Sequence, residues 1–135
     1  MNRKFLLIGG LVNLLIALMH LTLGQALDWR ESLGCLSLDN RATMYTLNVH
    51  VAFTCLIFAY LSLFHRKDLL STNTGRAVTA AFGIFWILRA ANQAIFYGLS
   101  APDTPFWVIF CLLVSLFYVV PTLRKRPAAK LLPVS

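Results

Sequence analysis

The sequence predicts an all-α integral membrane protein, an antiparallel four-helix transmembrane bundle with both termini in the cytoplasm. Three observations carry that expectation. Of 135 residues, 59% are hydrophobic and 13% charged, whereas a soluble domain has about 45–50% apolar and about 25% charged residues. The apolar excess gathers in four blocks, each near the length of about 20 residues that crosses a bilayer. The blocks are too long and alternate too poorly for barrel strands. The third observation is where the basic residues fall.

There are 12 Lys and Arg and 5 Asp and Glu, for a net charge of +7. If four helices alternate, Arg3, Lys4, Arg66, Lys67, Arg76, Arg124, Lys125, Arg126 and Lys130 share one side, and only Arg30 and Arg41 lie on the other. Asp28, Glu31, Asp39 and Asp103 lie on the base-poor side. The positive-inside rule then puts both termini in the cytoplasm, which suits a bacterial cytoplasmic (inner) membrane. The same placement argues against a nucleic-acid partner: a basic tail, residues 124–135, fits anionic lipid headgroups better. The chain is too short for two domains, so residues 1–135 are expected to form one.

The first span is read over 5–27. It has the basic start of a signal peptide and a weak small-x-small site at Gly24-Gln25-Ala26, but its apolar region exceeds the usual length of about 7–15 residues and contains Asn13 and His20. It is therefore expected to be retained. Gly9, Asn13, Ala17, His20 and Gly24 recur every three or four residues and form one helical face. Small and polar, that face suits a neighbouring helix and not lipid.

The outer loop is read over 28–42. Asp28-x-x-Glu31 has the form of a capping box, predicting a short interfacial helix with Trp29 at headgroup level and Gly34 at its end. Asp39 or Asn40 is expected to cap the second span, 43–64. That span carries two polar faces, Thr46/His50/Thr54 and Asn48/Ala52/Cys55/Ala59/Ser62. Two such faces suggest protein on both sides: a central position, a second copy of the chain, or a larger membrane complex. Asp68 to Arg76 reads as the inner loop, with Ser71 or Thr72 capping the third span, 77–99. Ser100 to Pro105 reads as a tight outer turn, with Asp103 or Thr104 capping the fourth span, 106–123. The stripe Trp107/Cys111/Ser115/Tyr118/Thr122 marks the inward face of that span. With Cys35 in the outer loop and Cys55 and Cys111 in spans, no disulfide framework is expected.

The candidate functional residues lie where polar groups interrupt apolar runs. Arg89, Asn92 and Gln93, at i, i+3 and i+4, share a face of the third span, with Tyr97 one turn on. A charge near the bilayer centre costs about 2.5–3.5 kcal/mol on insertion scales, and no apolar run contains an acid to balance it. Counted from the outer ends of their spans, His20, His50, Asn92 and Gln93 fall at similar depths, predicting a polar layer in the outer half of the bundle. In the first reading this layer binds a polar or anionic small molecule such as a quinone or a lipid headgroup. Arg89 holds negative charge, Asn92 and Gln93 orient the ligand, His20 and His50 accept, donate or ligate, and Tyr97 flanks the site. In the second, the chain is an accessory subunit docking through its Asn48/Cys55/Ser62 face, and the layer is structural. In the third, His20 and His50 ligate a haem b iron or another metal. No phosphate loop, zinc spacing or nucleophile motif appears, so no reaction is assigned.

Overall fold

A computed structural model describes residues 2–123, so the expectation for the tail 124–135 lies outside the described residues. All six described elements are helices: α1 (Asn2–Ala26), α2 (Trp29–Ser32), α3 (Leu38–Phe64), α4 (Arg66–Ser71), α5 (Asn73–Tyr97) and α6 (Thr104–Leu123). Among the described residues, α3, α5, α6 and Arg3–Ala26 of α1 are the four segments long and apolar enough to cross a membrane. The chain gathers into two compact units. Leu6 to Arg66 forms one; the other holds α5, α6, most of α4 and the first turn of α1.

In the first unit, α1 ends because Asp28 takes a left-handed conformation, φ 47° and ψ 52°. Asp tolerates that region better than most residues, and a left-handed residue commonly terminates a helix. The expected short helix is present as α2, but the capping box is not, and Asp28 makes no side-chain cap bond. An N-cap needs a β-region backbone to aim its oxygen at the N2 or N3 N–H, and the left-handed turn removes that aim. The Ser32 hydroxyl instead donates to the carbonyls of Asp28 (2.9 Å) and Leu27 (3.2 Å). Trp29 is buried edge-on against Tyr45, with ring centroids 5.3 Å apart.

α3 begins five residues before the expected start at Thr43. Its cap is Ser37, whose Oγ accepts from the Asn40 N–H at 3.3 Å. Leu38-Asp39-Asn40-Arg41 is a polar first turn that hydropathy does not register, and Asp39 suits the positive end of the helix dipole. The predicted small face of α1 meets α3. Of its residues, Gly24 would place an added Cβ 3.6 Å from Tyr45; Gly10, beside that face, would place one 3.0 Å from Ser62 and Leu63. Ser62, Ala59, Cys55 and Ala52, at helical spacing along α3, are all buried.

In the second unit the expected inner loop is largely helical, divided between α4 and the first turn of α5, which begins at Asn73, four residues before the expected start. Thr72 then caps α5 with one hydroxyl used twice. It donates to the Asp68 carbonyl (2.9 Å) and accepts from the Gly75 N–H (2.8 Å), as a hydroxyl with one proton and two lone pairs can. Gly75 must be glycine, since a Cβ there would meet the Asp68 carbonyl and come 2.6 Å from Leu69 Cα. α5 ends at Gly98, at φ 76°.

Helices α5 and α6 pack through Phe82 and Tyr118, edge-on at 5.5 Å, and through Trp86 and Phe110 at 6.2 Å. Gly83 lies between them, where an added Cβ would sit 2.7 Å from Val119 Cγ2. The stripe predicted for the fourth span faces inward, with Cys111, Ser115 and Tyr118 buried. Arg76 donates to the carbonyl of Thr122, one of the last carbonyls of α6, which have no partner within the helix.

Candidate functional site

His20 sits five residues inside Gln25 on α1 and faces α3. Its Nδ1 lies 2.7 Å from Asn48 Oδ1, and Asn48 Nδ2 donates to the backbone carbonyl of His20 at 2.8 Å. The second bond fixes the first. Because the amide nitrogen of Asn48 is spent on a carbonyl, its oxygen faces the ring, and an oxygen can only accept. His20 therefore donates from Nδ1–H. In the neutral ring this leaves Nε2 with its lone pair.

That ring lines a cleft of about 400 Å³ between the far half of α1, α2 and the first turns of α3. Its walls are His20, Leu21, Gly24, Gln25, Asp28, Arg30, Tyr45, Asn48 and Val49. Leu21 and Val49 are apolar and Tyr45 is amphipathic. Asp28 and Arg30 bring opposite charges to the same opening.

His50 is elsewhere. Residues two apart on a helix point about 200° apart, so with Asn48 turned toward His20, His50 projects from the far side of α3. It is exposed, donates from Nδ1 to its own-helix carbonyl Thr46 O at 2.8 Å, and borders a shallow groove with Tyr45, Thr46 and Val49. The structure does not bring His20 and His50 together. Among the described residues no three His, Cys, Asp or Glu side chains gather as metal ligands would.

In the second unit, Arg89 Nη1 donates to Gln93 Oε1 at 2.8 Å, the i,i+4 pairing expected on a helix face. Gln93 is 5% exposed and Arg89 half-buried, while Asn92 and Tyr97 are exposed. Of the six predicted site residues, then, Arg89 and Gln93 meet each other and His20 enters a cleft.

Asn48, Gln25, Asp28, Arg30 and Tyr45 line the cleft without having been predicted for a site. Asn48 was legible as a polar residue two positions from His50, a difference within the error of about two to four residues on boundaries read from sequence. The face it was assigned, expected to dock on another protein, is instead buried within the chain. Asp28 and Arg30 gave no signal, because a charge in a connecting segment is ordinary until the fold turns it toward a cavity.

No family model matches this chain, and neither does any curated protein or solved structure.

Proposed function

We propose that this is a multi-pass membrane protein that binds a polar small molecule in the His20 cleft. The observation that carries this reading is the two-bond clamp of Asn48 on His20 at the cleft wall. A side chain held by a neighbour at the wall of a cavity is how a protein prepares a group for a ligand. Mixed apolar and polar walls with a few oriented polar groups are characteristic of small-molecule sites.

The four spans cross in alternate directions with both ends of the chain cytoplasmic. The nine-to-two division of basic residues supports this. So does the order of contacts in the first unit, where early α1 (Gly10) meets late α3 (Ser62) and late α1 (His20) meets early α3 (Asn48). The cleft then opens at the outer membrane interface. Protein purified in detergent, extracted with solvent and analysed by mass spectrometry should release a stoichiometric small molecule. His20→Leu should fold and release none. Equal recovery from both proteins would end the proposal.

A second reading, a subunit of a larger membrane assembly, is favoured by Thr46, His50 and Thr54. They keep a polar stripe on a membrane-length helix while Thr46 and His50 are exposed and Thr54 half-buried. Polar groups facing hydrocarbon are costly, and such residues usually face protein. Photo-crosslinkers placed at Thr46 and Thr54 should capture another chain if this reading holds.

A further inference from the structure

We infer that the ligand of the His20 cleft is a zwitterion carrying a primary ammonium and a phosphate, the chemistry of an ethanolamine phospholipid headgroup. The inference rests on the proposed site and specifies what enters it.

Three features of the walls converge on this class. The first is the direction of hydrogen bonding at His20. With Nδ1–H committed to Asn48, a neutral ring offers a lone pair at Nε2, and the partner of that lone pair is a donor. An ammonium supplies up to three N–H donors, whereas a quinone carbonyl supplies none.

The second feature is charge. Asp28 and Arg30 both line the cleft, and among the described residues neither is engaged by another side chain. Asp28 makes no cap bond, and the two form no ion pair with each other. Their backbone explains why two opposite charges so close in sequence stay apart: Asp28 is left-handed and Arg30 is in the following helical turn. Asp28 is the one non-glycine residue with positive φ among the described residues. A carboxylate for an ammonium and a guanidinium fork for a phosphate are the standard pairings of these groups.

The third feature is the rest of the wall. Tyr45 lines the same opening, and an aromatic ring is a partner for a cation. Leu21 and Val49 provide the apolar edge along which a glycerol backbone or acyl chain would leave toward hydrocarbon. A volume of about 400 Å³ has room for such a headgroup and lies within the usual range of small-molecule sites.

The test uses the full chain in detergent, measured by native mass spectrometry with equimolar dioleoyl lipids that differ only in headgroup. Ethanolamine lipid should occupy one site per chain at least tenfold more than choline lipid, which lacks N–H donors, or glycerol lipid, which lacks the ammonium. Asp28→Asn keeps a residue that tolerates the left-handed backbone and should reduce the ethanolamine preference to within about twofold. Arg30→Gln should weaken all three phospholipids together. Both positions are exposed, so the variants should retain the helical circular dichroism of the parent. Soluble phosphoethanolamine serves as a further arm. If it displaces the lipid only at far higher concentration, the lipid is the ligand; if it binds as tightly, the free headgroup is, and the inference holds in either case. Equal occupancy by ethanolamine and choline lipids, or a preference unchanged by Asp28→Asn, would overturn it. Should the chain release a His20-dependent molecule of another class, the binding function stands and this assignment of its ligand fails.

Discussion

His20 and Asn48 are joined twice. The ring Nδ1 lies 2.7 Å from the amide oxygen, and the amide nitrogen lies 2.8 Å from the histidine's own carbonyl. One asparagine thus ties both the side chain and the backbone of α1 to α3. Interhelical hydrogen bonds in membranes average about 0.6 kcal/mol and reach about 1.7 kcal/mol. Asn48→Leu, which removes both, should cost about 1–2 kcal/mol, read from denaturant titration in mixed micelles. It should also loosen the ring, so ligand affinity should fall more than a loss of that stability implies. A stable variant with full affinity would show that the clamp orients nothing.

Arg89 and Gln93 form the second polar pair, within α5. Gln93 is buried, and removing Arg89 leaves its amide oxygen without that donor. Arg89→Leu alone should destabilise by about 1–2 kcal/mol through the orphaned acceptor. Arg89→Leu with Gln93→Leu should recover most of that or exceed the parent, since apolar replacement of a complete buried polar set is often neutral or stabilising. If the double variant is worse than the sum of the single ones, Arg89 has obligations beyond Gln93.

Gly83 and Val119 test the α5–α6 contact. An alanine at 83 would place its Cβ 2.7 Å from Val119 Cγ2, and overpacking of this kind costs about 1–3 kcal/mol. Gly83→Ala should destabilise in that range, and adding Val119→Ala should restore part of the loss. Additive losses would mean that the obstruction is the α6 backbone, whose Val119 N and Ser115 O lie 3.5 and 3.6 Å from the added carbon.

Two other glycines make a controlled comparison. At Gly24 an added Cβ meets nothing nearer than 3.5 Å, from Trp29, while at Gly75 it meets backbone of α4. Gly24→Ala should leave thermal stability nearly unchanged. Gly75→Ala should lower it sharply or abolish expression, because a backbone cannot yield as a side-chain tip can.

The topology has a built-in probe. Cys35 is exposed in the connection between α2 and α3, whereas Cys55 and Cys111 are buried. In intact cells a membrane-impermeant maleimide should label the parent at one site and leave Cys35→Ser unlabelled. Labelling of Cys35 only after the membrane is permeabilised would reverse the orientation.

The sequence by itself determined the four membrane-length helices, the small face of α1 and the inward stripe of α6. Each is a local property: hydropathy accumulates over about 20 residues, and helical spacing sorts side chains onto faces without reference to partners. The Thr72 cap and the short helix at Trp29 were legible for the same reason. Element starts were less so, because the largely polar first turn of α3 and the short connection at 66–71 carry no sustained apolar run. Tertiary structure alone decided which polar residues meet. His20 paired with Asn48 and not with His50 because of a two-residue difference in register between α1 and α3, which turns the facing side chain by about 200°. The left-handed turn at Asp28 brought Asp28 and Arg30 to the cleft. Local pattern says which face of a helix is polar, but register and backbone handedness decide what that face touches, and those depend on contacts between residues far apart in the chain.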